Sequence, residues 1–377
     1  MAGERSYYSD EGPELVALRI RTYFDLAPHF TWGGQLGAGA NGVIYKISHK
    51  ANGRRRKLAV KIAPIDVDLG GNKSFDENSD IIPDEILSLD KEKVWLRRLR
   101  NNPHIIQSLD LPNDPLAQTL PAVWPHRMRN WIFLEYAENG ALKTLSERHV
   151  EQYDNELLPN RLLWRFFMCL VRGCIEMAYY DAKLNGQPVD LKTASFETLD
   201  LIEPGPLAHQ DLGTHNILVG ATALDESLEH NATPILKIID FGEAGEIDPA
   251  SEYFHRTGSQ LNVGDICRVM VFLILQYDVS YHSEDRINLI IDGRTFETIG
   301  GQLYELHDDL VSDGLDVDLL NLLYRGMSMD NNVQLGLIEL ARIVHERVTN
   351  RGDNGVERET DEAIRQRIFT LIHDADT

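Results

Sequence analysis

The densest chemistry in the chain lies in His209-Gln210-Asp211-Leu212-Gly213-Thr214-His215-Asn216, followed by the apolar run Ile217-Leu218-Val219. An Asp and an Asn five residues apart therefore stand just ahead of a strand-like segment. A second carboxylate, Asp240, ends another apolar run, Ile238-Ile239, and is followed by Phe241-Gly242. Such a set places one carboxylate at an acceptor hydroxyl, and an amide oxygen and a second carboxylate on a divalent cation. Phosphoryl transfer bridged by Mg2+ uses those parts, because its catalysis is mostly positioning and charge neutralisation.

The upstream elements must position phosphates for such chemistry. Gly37-x-Gly39-x-x-Gly42-x-Ile44 lies between strand-like stretches. A dinucleotide fingerprint would open a helix directly after its glycines, whereas Val43-Ile44-Tyr45-Lys46-Ile47 alternates like a strand. A strand–turn–strand of this kind can fold over phosphates with backbone N–H groups as donors; glycines at this spacing also occur in ordinary hairpins. The hairpin signal Asn52-Gly53 leads into Leu58-Ala59-Val60-Lys61-Ile62. A lysine there either meets an anion or snorkels from an edge strand. From Glu85 to Arg100 the periodicity predicts a helix with Leu89, Glu92, Leu96 and Leu99 on one face. A Glu within that stripe requires a cation, and one at its rim does not.

Elsewhere the pattern is coarser. Pro13 to Leu26 predicts an amphipathic helix with Leu15, Leu18, Ile20 and Phe24 on one side. Asn101 to Ile106 reads as a helix end and a strand start. Trp131 to Leu142 reads as a buried strand, an exposed hinge and the start of a helix. Arg161 to Tyr180 is the candidate central buried helix, and Asp265 is read as opening an apolar helix over Ile266 to Leu275. Leu315 to Val348 predicts a helix pair, and Ile364, Ile368, Leu371 and Ile372 mark a last helix. Residues 64–85, 111–129, 181–207 and 220–234 read as loop insertions.

Composition sets the class. At 43% hydrophobic, 377 residues bury a substantial core, so global disorder is excluded. A net charge of −22 argues against nucleic acid or an anionic membrane as partner; it mildly favours basic partners, and a soluble acidic surface accounts for it more simply. Cys169, Cys174 and Cys267 lie in apolar segments and imply neither a disulfide framework nor a Cys-based zinc site. The first residues carry no apolar leader and the longest apolar run, Val269 to Leu275, is too short to span a bilayer, so an intracellular protein is expected.

The ordered set Gly37/Gly39/Gly42, Lys61, Glu92, Asp211, Asn216 and Asp240 resembles the protein-kinase superfamily, with its H-R-D-x-x-x-x-N loop and D-F-G. The resemblance implies an α+β, two-lobed fold with ATP and Mg2+ as cofactors and a protein hydroxyl, on Ser or Thr, as acceptor. It implies an extension over 1–29 and a kinase-like domain over 30–348. The N-lobe would cover about 30–135 and the C-lobe about 138–348, ahead of a helical tail over 349–377. By it Gly37, Gly39, Gly42, Ile44 and Ala59 would line the nucleotide, with Leu134 guarding the pocket and the backbone of Glu135 and Ala137 on adenine. Lys61 would hold phosphates and pair with Glu92, and Asp211 would orient or deprotonate the acceptor. Asn216 and Asp240 would bind Mg2+, Phe241 would stack with Leu96 and His209, and Asp265 would brace the catalytic loop.

Four departures qualify the match. Gln210 replaces an Arg that receives an activation-loop phosphate, and Gly213 replaces a Lys that contacts the γ-phosphate. The segment from Asp240 to Asp265 is short and lacks Ala-Pro-Glu. The run Asp330-Asn331-Asn332-Val333-Gln334-Leu335 lacks the Arg that pairs with that Glu. Two other readings share the motifs: a small-molecule phosphotransferase of the aminoglycoside/choline kinase type, and a pseudokinase that binds nucleotide or partners without transfer.

Overall fold

Alternation of apolar side chains builds the N-terminal sheet of the computed structural model, which describes residues 13–39, 42–51, 53–63, 84–119, 131–222, 229–248, 250, 256–282 and 285–373. Strands β1 (Phe30–Gly39), β2 (Gly42–Ala51), β3 (Arg54–Ile62) and β4 (Trp131–Glu135) pair antiparallel in sequence order. Val43, Tyr45 and Ile47 of β2 point to one face, where Leu58, Val60 and Phe133 join them. Helix α1 (Pro13–Asp25) adds Ile20 and Phe24 to this core. Leu18 does not share their face: it is 59% exposed, because residues two apart lie about 200° around a helix. The side chain of Leu15 lies outside the described residues. Helices α2 (Asp84–Arg98) and α3 (Pro115–Thr119) complete this part.

Contacts divide the chain into two units. The first holds residues 1–100, 107–136 and 241–243; the second holds 101–106, 137–240 and 244–377. The chain is thus mixed α+β, antiparallel sheet in its N-terminal region and helical in its C-terminal part.

The second unit is organised on α5 (Asn160–Ala178), which follows α4 (Leu142–Tyr153) and is buried along nearly its whole length. The segment expected to be a plain insertion, 181–207, is structured. It holds the hairpin β5 (Lys183–Leu184) and β6 (Gln187–Pro188) on an Asn185-Gly186 turn, helix α6 (Phe196–Leu199) and strand β7 (Leu207–Ala208). Strands β8 (Ile217–Thr222) and β9 (Pro234–Ile238) pair antiparallel, and β10 (Gly245–Glu246) pairs with β7. Then come α7 (Gly258–Leu275), a hairpin of β11 (Ile287–Ile291) and β12 (Arg294–Thr298), and α8 (Gly301–Glu305) to α12 (Asp361–His373). Between those last two lie α9 (His307–Ser312), α10 (Val317–Gly326) and α11 (Leu337–Asn350). Both α7 and α11 pack on α5.

The strand expected after Pro103 is reduced to one bridge, Ile105 with Ile238. The His104 N–H is taken by the Glu176 carboxylate, at 3.1 Å, instead of by a strand partner. Helix α7 begins seven residues before Asp265, behind a capping box of Thr257 and Gln260. It is long and apolar enough to span a bilayer by length and composition, but 72% of it is buried inside the protein as a core helix. The C-terminal segment closes the N-terminus of α5: Glu359 accepts from the N–H groups of Asn160 and Arg161, each at 2.8 Å. Pro159, the residue before α5, provides no side-chain cap, so this distant carboxylate satisfies the orphan donors.

Candidate functional site

In the first unit, Lys61 sits on β3, the strand flanked by β2 and β4, and pairs in register with Ile44 and Ile132. It is therefore no edge-strand lysine with an easy route to water, and it is only 4% exposed. Its ammonium meets Glu92 of α2 at 2.8 Å, and Glu92 is 1% exposed. Leu89, Leu96 and Leu99 are buried on the same helix, so Glu92 lies within the stripe and not at its rim. Two desolvated charges in such a setting cost more than they return unless they meet closely, as these do.

The glycines divide by cause. A Cβ on Gly42, whose φ is 151°, would stand 2.7 Å from the Ile62 carbonyl oxygen, so the chain itself requires glycine there. At Gly37 and Gly39 an added Cβ would meet nothing within 4 Å, and no packing contact demands glycine. Gly39 pairs with Gly42, while Ala40 and Asn41 lie outside the described residues. Ala59 is buried and stands opposite Leu134, also buried, in the β3–β4 register; Ile44 is half-buried. The Glu135 N–H is committed to the Gln107 carbonyl at 2.9 Å. Ala137 belongs to the second unit and is half-buried. Leu96 and Phe241 are buried in the first unit, His209 in the second.

In the second unit, the loop from His209 to Asn216 is held by its own polar groups. Asn216 donates its side-chain N–H groups to the Asp211 carbonyl at 2.8 Å and to Asp211 Oδ2 at 2.9 Å. Its amide nitrogen is thereby committed, which turns the amide oxygen into the atom able to ligate. The Asn216 carbonyl accepts from Ile239 N–H at 3.0 Å, and this ties the loop to the residue before Asp240. Asp211 is 51% exposed, so its carboxylate is open to solvent. Gln210 and Asp240 both hold left-handed backbone, with φ of 65° and 61°. Such strain persists where surroundings over-determine it, and it concentrates at functional sites.

His209 is neutral by construction. Its Nε2–H donates to the Ile239 carbonyl at 2.9 Å, and its Nδ1 accepts from Asp211 N–H at 3.3 Å. Burial lowers its pKa, against the Ile239 hydrogen bond and the nearby carboxylates of Asp211 and Asp240.

The expected brace, Asp265, is not the group that holds this loop. Asp265 lies two turns inside α7 and faces Arg268 at 3.2 Å. Asn262, one turn earlier, accepts from His209 N–H at 2.9 Å and donates to the Leu207 carbonyl at 3.0 Å. The capping box at Thr257 and Gln260 was the signal in sequence that puts the helix start, and so Asn262, under the loop. His215 is a second residue the motif alone did not single out. Its Nε2 stands 3.8 Å from Asp211 Oδ2, and its ring occupies the space above Gly213, where an added Cβ would come within 2.7 Å of it. Gln334 is a third: its amide donates to the carbonyls of Gln260 and Gly326 at 2.8 and 2.9 Å. The 220–234 segment is anchored where it is described, with Glu229 held by Arg172 at 2.6 Å and by His345 at 3.2 Å.

No protein-family model matches the chain and no curated protein matches it, so its function has to be argued from these residues.

Proposed function

We propose that this chain has a two-lobed, protein-kinase-like fold and transfers the γ-phosphoryl group of ATP, with Mg2+, to protein hydroxyl groups. The observation that carries the reading is the buried Lys61–Glu92 pair on a central strand. Stability alone gives little reason to keep such a pair, whereas a lysine held charged and aimed by a glutamate is what an α/β-phosphate needs. The Asp211–Asn216 clasp and the strained backbone of Asp240 support the same reading.

In this reading Asp211 receives the acceptor hydroxyl on Oδ1, since Oδ2 already accepts from Asn216. A positioned base of this kind is worth about 10²–10⁴-fold in rate. The Asn216 amide oxygen and the Asp240 carboxylate fit a hard cation that takes oxygen donors. Bound Mg2+ would neutralise charge on the phosphate oxygens. His209, fixed as a neutral donor and acceptor, keeps Asp211 and the strand ahead of Asp240 in register without adding charge.

A second reading, a small-molecule acceptor, is favoured by one feature. Only residues 247–256 separate β10 from the cap of α7, which leaves little chain for a peptide-binding platform.

The test is transfer of labelled γ-phosphate from Mg-ATP by the wild type and by Asp211→Ala. Acceptors are the chain itself, a generic basic protein and a panel of small alcohols. Transfer to protein that drops at least 100-fold in the variant is expected. Label on a small alcohol alone favours the second reading. Full transfer by Asp211→Ala removes both, and ATP binding without transfer leaves a nucleotide-binding scaffold.

A further inference from the structure

Three buried side chains from separate parts of the second unit converge, none of them among the residues assigned to phosphoryl transfer. They are His104 in the turn before Ile105, Cys169 in the middle of α5, and His230 shortly before β9. One ligand atom from each lies within 4.8 Å of the other two. Cys169 Sγ stands 3.7 Å from His230 Nδ1, and the two imidazole rings have centroids 5.3 Å apart.

We propose that His104, Cys169 and His230 bind a single zinc ion that staples three non-local segments of the second unit. Tetrahedral zinc, with Zn–N near 2.05 Å and Zn–S near 2.3 Å, separates a ring nitrogen from a sulfur by about 3.6 Å. The Cys169–His230 separation already matches this edge. The other two edges close by at most about 1.2 Å (sulfur to nitrogen) and about 1.5 Å (nitrogen to nitrogen) from their 4.8 Å limit. Two imidazoles and a thiolate suit zinc and exclude Mg2+ and Ca2+, which take oxygen. Three protein ligands leave the fourth tetrahedral position to water.

The surroundings hold the ligands in place. Glu176 grips the His104 backbone N–H, the Leu236 carbonyl lies 3.3 Å from His104 Nδ1, and Ile238 N–H donates to the His104 carbonyl at 2.8 Å. Outer contacts of this kind orient metal-binding histidines. On binding, the Cys169 thiol loses its proton to solvent as the sulfur–zinc bond forms, and no oxidant or reductant is involved. The thiolate of Cys169 offsets one of the two positive charges of the ion, while Glu229, next to His230 in sequence, is already paired with Arg172.

The test uses the untagged full chain, purified, exposed to equimolar Zn2+ and freed of loose metal. Elemental analysis is expected to give about one zinc per chain. Replacement by Co2+ is expected to give a thiolate-to-cobalt charge-transfer band in the near ultraviolet and intense visible bands of a tetrahedral ion. Cys169→Ser should lose the charge-transfer band and retain zinc at least tenfold more weakly, while Cys174→Ser keeps both. Zinc below one-tenth of an equivalent in the folded wild type, with no cobalt bands, overturns the proposal, and that result does not depend on any variant folding. Equal zinc retention by folded Cys169→Ser also overturns it.

Discussion

The Lys61–Glu92 pair allows stability and function to be separated in one experiment. Both side chains are nearly without solvent contact and meet at 2.8 Å. Lys61→Met removes the cation and leaves Glu92 desolvated beside an apolar chain; Glu92→Leu does the converse to Lys61. Breaking one side of a buried pair costs about 3–5 kcal/mol. With a urea slope near 2 kcal/mol per molar, each single variant should unfold at about 2 M less denaturant. The double variant Lys61→Met/Glu92→Leu removes both desolvation penalties together and adds apolar contact with Leu89, Leu96 and the sheet. It should therefore recover to within about 1 kcal/mol of the wild type. It removes one charge of each sign, so the net charge of −22 and its long-range field are unchanged.

Trp32, Trp95 and Trp131 lie in the first unit and Trp164 in the second, so tryptophan fluorescence against urea is read in a Trp164→Phe background to follow the unit that carries the pair. Phosphoryl transfer is measured on the same samples. The expected outcome is a double variant that is folded, close to wild-type in midpoint, and reduced in transfer by at least 100-fold. A double variant destabilised by the sum of the singles would show that the pair is a net stabiliser, and the argument from its cost would fail. A stable double variant with wild-type transfer would refute the phosphate role of Lys61.

Two further outcomes follow from the second unit. Asn262→Ala strips partners from the buried His209 N–H and Leu207 carbonyl, so a loss of about 2–5 kcal/mol is expected in calorimetry, with transfer falling alongside it; an unchanged midpoint would return the bracing role to another residue. Asp265 is raised to about 6, by burial first and by the charge of Asp211 second, against Arg268 and Arg256. The folded chain therefore keeps a proton that the unfolded chain sheds above pH 3.8, and this group's contribution to stability falls as pH rises through about 6. Asp265→Asn should flatten that fall, by at most about 3 kcal/mol between pH 4 and 7, measured as the difference in urea midpoints.

What was legible in the sequence was local. The Asp211–Asn216 clasp follows from two residues five apart in one turn, and Glu92 reaches the buried stripe because helical period alone puts it with Leu89 and Leu96. The hairpins on Asn185-Gly186 and Asp292-Gly293 have two-residue turn signals, with both residues of each pair at positive φ, yet 181–207 reads as a plain insertion when composition alone is weighed. Asp265 was misplaced because the apolar run drew attention past the true helix start, which the Thr257–Gln260 box marks. Other features had no local signal to read. Glu359 caps α5 from 199 residues away, and His104, Cys169 and His230 share no spacing that a motif could hold. Only the folded chain brings such groups together, because their proximity is set by the packing of α5 against α11 and β9 and not by chain distance.

The departures from the kinase pattern become coherent once the partners are known. An Arg in place of Gln334, which is 6% exposed, would bring a buried cation that needs a carboxylate partner. The neutral amide instead satisfies two carbonyls, of Gln260 and Gly326, with no desolvated charge. Gly213 and His215 are neighbours in space: a Cβ at 213 would lie 2.7 Å from the exposed imidazole beside Asp211, which would have to turn aside. Gln210 keeps the left-handed backbone of the loop, and a Cβ on Gly245 would lie 3.0 Å from its amide nitrogen. Neutral residues thus stand at positions that, in the resemblance, read a phosphorylated loop or support a peptide platform, and charged ones stand at Lys61, Glu92, Asp211 and Asp240, the positions proposed to handle phosphate, metal and acceptor proton. In the proposed reading, a buried pair that returns little stability weighs for transfer over a scaffold, and the neutral positions bear on which acceptor is presented to Asp211.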